Sequence, residues 1–431
     1  MHSSYKRLSG FTLTIFIYVF AVIFFPFEAI AEEKLPTITD LTKGKVKIGD
    51  LIDRNNVDLV KDYLSNSVYG LVKKGMILRM GKQIPADEFT TKAYREATER
   101  NRGKAVITDD VIVYLKDGSL WPGGMPFPDP QTGAEVMGSV KYGNGYSDLL
   151  HDPIWLFYVD KNGERYKKVG QIHRYLYTNC RTKIPPLGTI PGNEDILFKR
   201  LSVATYPIEI KGLGQYTVRY YNDAKKYDTG FVYLPAYKRT IRVSATTWQD
   251  NIGGSDLIYA DGNAFQEPYS DWGFKLLKKD AYLLAPEPEA PFTYFDKKGK
   301  FDKRMIWDEG FKFARLGWAI YPVHIVEAIP KIKHLYSKRI VYVAAYPYWP
   351  TTSNLLMVDN FDRQNKLWRS YVHTYGDSYE LDGETYHVTF GTMIYDLQTD
   401  HSTQMWYREY LDNNNFTPGD VTLGSLLKFS R

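Results

Sequence analysis

Residues 230–245 read GFVYLPAYKRTIRVSA, and the fold turns on how they are parsed. Side chains alternate along an extended chain, so Phe231 and Tyr233 point one way and Val232 and Leu234 the other. Both sides are apolar or aromatic and both must be covered, by protein or by something bound. Pro235 has no N–H to give a ladder and fits a strand end, an edge or a corner. Leu234-Pro235-Ala236 is therefore read as a hinge between two strands. In the second strand Lys238 and Arg242 share one parity and Arg239, Ile241 and Val243 the other, which sets cations along a rim. Rim cations guard an edge against aggregation or meet an anionic head group, and the stretch leaves both open.

The same pattern extends outward. After Gly103, short β-runs are separated by turn residues: Ile107 to Leu115 before Asp117-Gly118, then Trp155 to Val159 and Arg165 to Tyr177 across Asn162-Gly163. Tyr216 to Tyr221 precedes the opening stretch. Tyr336 to Ala344, Leu355 to Phe361, Leu367 to Thr374, His387 to Leu397 and Thr403 to Tyr410 follow it. No helix of crossover length separates these runs, which argues for an antiparallel meander and one large curved sheet. Two stretches break the rhythm. Three prolines within Pro126 to Pro130 keep residues 123–130 (GGMPFPDP) out of a sheet interior, and 285–291 (APEPEAP) reads as a linker or exposed loop.

Upstream, Val46 to about Arg102 reads as two or three helices, with Asn56 to Tyr69 and Asp87 to Arg100 as the strongest segments. At the start, Lys6 and Arg7, the apolar run Phe11 to Phe25 and the small-x-small Ala29-Ile30-Ala31 have the form of an export signal ending near Ala31. The expected organisation is thus a signal over 1–31, a helical segment over 32–105 packed on the main domain, and a β domain over 106–431.

Composition narrows the function. The 431 residues carry a formal charge of only +5, too little to argue for nucleic acid. A single cysteine, Cys180, cannot form an internal disulfide, and its surroundings match no nucleophile signature. The eight histidines are scattered, without metal-ligand spacing, and each is read as structural. No phosphate loop, nucleophile elbow or zinc motif is present, so neither cofactor nor metal is expected. The excess is aromatic: 35 Tyr, 22 Phe and 9 Trp suit β-structure with faces that are apolar on one side and wet on the other.

Several segments are recognisable together: GGMPFPDPQTGAE (123–135), FVYLPAYKRTIRVS (231–244), GGSDLIYADGNAF (253–265), HIVEAIPKIKHLYSKRIVYV (324–343) and VDNFDRQNKLWR (358–369). In this order, across roughly 105–431, they resemble an exported Gram-negative family of unknown function labelled outer-membrane lipoprotein-sorting-protein-like. The first hundred residues lack the family's early Gly-rich motif. The resemblance implies a β-rich α+β fold like that of the periplasmic lipoprotein carriers, a large curved antiparallel sheet forming an incomplete barrel with helices on its concave side. It also implies work beside an exporter or an outer-membrane protein, and it carries over no catalytic residues.

The leading expectation is a periplasmic binding or carrier protein for a lipid-like or other apolar ligand, and not an enzyme, because the mouth of a curled sheet is a favoured place for an apolar pocket. Candidate wall and rim residues are Phe231, Tyr233, Tyr237, Trp248, Tyr259 and Trp272, with Arg239 and Arg242 for a charged head group. The alternative is a carbohydrate-active enzyme or sugar binder of the cell envelope using aromatic platforms and two close carboxylates, with Asp256, Asp261 and Asp271 as candidates. An outer-membrane barrel fits poorly with short, irregular strands.

Overall fold

The computed structural model describes residues 35–243, 248–287, 307–308, 310–348, 355–412 and 416–430, with backbone alone at 308 and 376–379. The export-signal segment 1–31 lies outside the described residues.

Two antiparallel meanders make the sheet. The first runs through β1 (Asp148–Val159), β2 (Arg165–Tyr177), β3 (Ile196–Tyr206), β4 (Gly214–Tyr220), β5 (Thr229–Leu234) and β6 (Arg239–Val243), each paired with the next. The second runs through β7 (Trp272–Glu287), β8 (Gly317–Pro330), β9 (Lys338–Ala344) and β10 (Leu355–Phe361). It continues through β11 (Leu367–Leu381), β12 (Glu384–Asp396) and β13 (His401–Leu411), again in neighbour order. A seam joins them: β13 pairs antiparallel with β1, from Ser402 opposite Val159 to Leu411 opposite Leu149. Strands β6 and β7 end the two meanders and do not pair with each other, so the barrel stays open. A short strand, Leu78–Met80, adds one parallel pairing beside β8 (Arg79 opposite Gly317), which makes the sheet mixed.

The opening stretch forms the β5–β6 hairpin. Pro235–Tyr237 is a single 3-10 turn, and Lys238 takes the left-handed conformation (φ 50°) that turns the chain into β6. Arg239 to Arg242 are all exposed, as expected of an edge strand.

The helices are shorter than expected. Helix α1 (Asn66–Lys73) starts only where Ser65 caps it, and α2 (Lys92–Asn101) only where Thr91 does; the residues before them make 3-10 turns. Favourable helical composition reaches further back than the capping side chains allow. Helix α1 docks through Ser67, whose hydroxyl hydrogen-bonds the buried Asp359 carboxylate of β10. The Pro/Glu piece is also corrected. Ala285, Pro286 and Glu287 are buried and close β7, where a proline is tolerated because the strand lies at a sheet edge; 288–291 lie outside the described residues.

Residues 123–130 do stay out of the sheet, yet they are no exposed loop. Gly123 to Pro126 are buried and form a strap: Asn101 Nδ2 donates to Gly123 O (3.0 Å), Trp121 Nε1 to Gly124 O (2.8 Å), and Met125 N to Thr98 Oγ1 (2.9 Å). The strap leads into α3 (Gly133–Tyr142), capped by Thr132 and Glu135. There the lack of a side chain at Gly133 lets the helix approach the β7 backbone, where a Cβ would lie 2.8 Å from Phe274 C. Val136 and Met137 of α3 share one core with Trp272, Val326, Val341, Leu355 and Tyr371 from the sheet. On the other side of the sheet, Leu426 of α4 (Leu423–Phe429) packs with Leu176, Leu201 and Val203.

Candidate functional site

A cavity lies between the concave sheet face, the end of α3 and a plug formed by residues 259–271. Its walls come from eight strands, β1 to β4 and β10 to β13. Strands β4 and β10 are seven steps apart in the sheet order. Laid flat at about 4.8 Å per step they would be roughly 34 Å apart. Arg219 of β4 and Leu355 of β10 nevertheless line the same space, which measures how tightly the sheet curls. The space open to the centres of water molecules is about 110 Å³. That is room for on the order of eight waters, below the ~300–1,000 Å³ common for small-molecule pockets.

Strand periodicity builds the walls. His173, Tyr175 and Tyr177 share one face of β2; Tyr371, His373 and Tyr375 share one face of β11; Tyr407 and Glu409 share one face of β13. The seam brings β13 against His151 of β1, whose ring lies 4.7 Å from that of Tyr407 and whose Nε2 is 2.7 Å from Glu409 Oε1. Tyr407 in turn is 3.2 Å from Thr392 Oγ1, and His373 Nδ1 is 3.1 Å from the same hydroxyl. Burial holds His373 down to about 3, and it holds His173 well below the usual range with help from His151 and Arg200, so both rings are neutral. Burial, reinforced by Glu409, raises the Tyr407 phenol.

The charged wall residues form pairs. Lys141 of α3 is salt-bridged to Asp223, with both side chains buried. Arg219 grips Asp228 with two bonds of 2.6 and 2.9 Å. Burial lowers Lys141 against the pull of Asp223; for Arg219 burial acts in the same sense, but Asp228 and Asp223 outweigh it and raise the guanidinium.

The plug is tied to both limbs of the curl. From β4, Arg219 Nη2 donates to Gln266 O (2.6 Å). From β9, the fully buried Arg339 donates to Ala264 O (3.1 Å) and lies 3.3 Å from Glu267 and 3.5 Å from Asp261. Tyr336 donates to Asp261 (2.9 Å), Trp272 to Glu267 (3.1 Å), and His334 Nε2 is 2.9 Å from Glu267.

The sequence-derived residues are spread over three places. Trp272 is buried in the Arg339 network beneath the plug; Trp248 is half-buried against Ile258, Ala260 and Tyr336; Tyr259 is half-buried at the start of the plug. Phe231 stacks on Tyr216 at 6.4 Å and Tyr233 packs toward α4. Tyr237 is 73 % exposed, and Arg239 and Arg242 are exposed with it on the edge hairpin. None of the eight lines the cavity. Its wall residues His151, His373, Tyr407 and Glu409 were missed, although the alternation of His and Tyr along single strands carries the signal. Asp256 and Asp261 are engaged elsewhere: Asp256 with His401 (2.8 Å) and Thr403 (2.7 Å), Asp261 in the Arg339 network. Cys180 is fully buried, its thiol pushed up by burial, which is the opposite of what a nucleophile needs. Among the described residues no helix is long and apolar enough to cross a membrane.

Compared with solved structures, the chain is similar to a domain named for outer membrane lipoprotein sorting from Vibrio parahaemolyticus (17% identity, 68% of this chain and 97% of that one, TM-score 0.45). It is also similar to a DUF1329 family protein from Desulfovibrio piger (13% identity, 65% and 92%, TM-score 0.43). A third similar structure is a LolA superfamily protein from Nitrosomonas europaea (11% identity, 69% and 100%, TM-score 0.39). Among curated proteins nothing matches. The model of a family described as Protein of unknown function (DUF1329) matches residues 51–420, taking in part of the N-terminal stretch that the sequence motifs had left out. With that match spanning the strap, the hairpin, the plug and the seam, the chain belongs to the DUF1329 family.

Proposed function

We propose that the chain is a binding or carrier protein for a lipid-like or other apolar ligand, held between the curled sheet and its plug. The observation that carries this reading is the cavity itself: an aromatic-walled space kept open where eight strands, α3 and the plug could have met in solid core. Its small size requires that a ligand of acyl length displace the plug on entering. Residues Tyr237, Arg239 and Arg242 act outside the cavity, at the open sheet edge, where a head group or a partner is met. Export to the periplasm and work beside an exporter or outer-membrane protein belong to the same proposal; they rest on the pattern of residues 1–31 and on the motif resemblance.

Protein purified gently from its native envelope and extracted with organic solvent should release an apolar species detectable by mass spectrometry. Replacing Leu197, which lines the cavity from β3 and is 2 % exposed, by Trp fills the space. Leu197→Trp should lower that load severalfold while leaving the far-UV circular dichroism unchanged, at an overpacking cost of about 1–3 kcal/mol. An empty extract, combined with extracted protein that does not enhance the fluorescence of N-phenyl-1-naphthylamine, would overturn the reading.

A further inference from the structure

Glu409 sits in the cavity wall at 5 % exposure. Its Oε1 is paired with His151 Nε2 at 2.7 Å, whereas its Oε2 has no hydrogen-bond partner among the described residues. The other ionic wall groups are compensated, Lys141 by Asp223 and Arg219 by Asp228, and Glu409 is the acidic side chain among the residues that line the space. Aromatic rings close around it: Tyr407 and Tyr146 both feel its charge, and Tyr175 lies 5.9 Å from the ring of its partner His151. A buried acceptor of this kind is satisfied by water when the cavity is empty. A ligand whose inner end is wholly hydrocarbon would expel that water and leave the oxygen bare, whereas one ending in a donor replaces the water bond for bond.

We propose that the cavity selects apolar molecules whose buried end carries a hydrogen-bond donor, a hydroxyl or an ammonium group, delivered to Glu409 Oε2 within the tyrosine-lined wall. Both donors fit the same acceptor, and an ammonium gains from the ring faces as well. The proposal rests on the reading of the cavity as the ligand site, and its test separates the two. Four probes sharing a phenylethyl group serve: ethylbenzene, 2-phenylethanol, 2-phenylethylamine and 3-phenylpropionate, with affinities measured by calorimetry on the delipidated full chain. At least one of the two donor probes should bind about tenfold to hundredfold tighter than ethylbenzene, and 3-phenylpropionate should bind more weakly than either. Glu409→Leu should abolish that preference while ethylbenzene still binds. Glu409→Gln, which keeps an accepting oxygen without the charge, should retain a preference for the alcohol and lose one for the amine. Equal affinities for ethylbenzene and both donor probes, or tightest binding by 3-phenylpropionate, would overturn donor selection while leaving the binding-protein reading intact. If none of the four binds, both fall.

Discussion

Gly124 shows how much one missing side chain decides. It sits at φ +79°, and a Cβ there would lie 2.5 Å from Thr98 N and 2.7 Å from Ala97 C, backbone atoms of α2 that cannot swing aside. Gly192 has nearly the same dihedral (φ +78°) but nothing within 4 Å of a built Cβ. Gly192→Ala should therefore cost only the conformational penalty, roughly 1–2 kcal/mol. Gly124→Ala adds a backbone collision of the overpacking kind, about 1–3 kcal/mol further, and should leave protein that unfolds at much lower urea or accumulates as aggregate. Equal urea midpoints for the two variants would mean that the strap moves freely against α2. The pair Gly123-Gly124 is plain in the sequence as a break in the strand rhythm. Its partner, a helix some twenty-five residues upstream, is not, because close approach is a tertiary fact with no local signature.

Among the elements, the hairpin and the plug make a useful contrast. Apolar alternation, a proline and a basic follow-on were enough to place β5, the turn and the exposed β6, since each rests on backbone chemistry within a few residues. The plug is held by Arg339, His334 and Tyr336, which come from around β9, far along the chain, and its tethering could not be read from GGSDLIYADGNAF alone. Trp272 looked like a ligand platform for the same reason: an aromatic beside acidic residues has one appearance in sequence whether it faces a guest or an arginine. Removing the guanidinium by Arg339→Met strands Asp261 and Glu267 in the interior and should cost about 3–5 kcal/mol. If the plug is the gate, it should also speed exchange of a bound fluorescent probe, measured by stopped flow. Lower stability with unchanged exchange would assign the gate to another element.

Across the molecule, the seam between β13 and β1 does what no single strand can. Trp406 is fully buried there, opposite Trp155 in β1 and opposite Gly391 in β12, where any Cβ would collide with its ring. Trp406→Ala should cost about 3–5 kcal/mol. Because both meanders share the seam, amide exchange should quicken in β2–β3 and β10–β11 together. Loosening confined to β13 and its immediate neighbours would show that the sheet is not one cooperative unit. The seam also explains why the fold was more legible than the site. The strips that supply wall residues, His173-x-Tyr175-x-Tyr177 and Tyr371-x-His373-x-Tyr375, are each visible as one face of a strand. Nothing within β1 or β13 names the other as neighbour, so His151 and His373, which line one space, looked scattered. Synthesis feels the same arrangement. The first long strand leaves the ribosome while the last has yet to be made, and until then one flank of it is a bare row of amide donors and acceptors. Until β13 arrives, that flank is the part of the sheet most open to pairing with the edge of another copy.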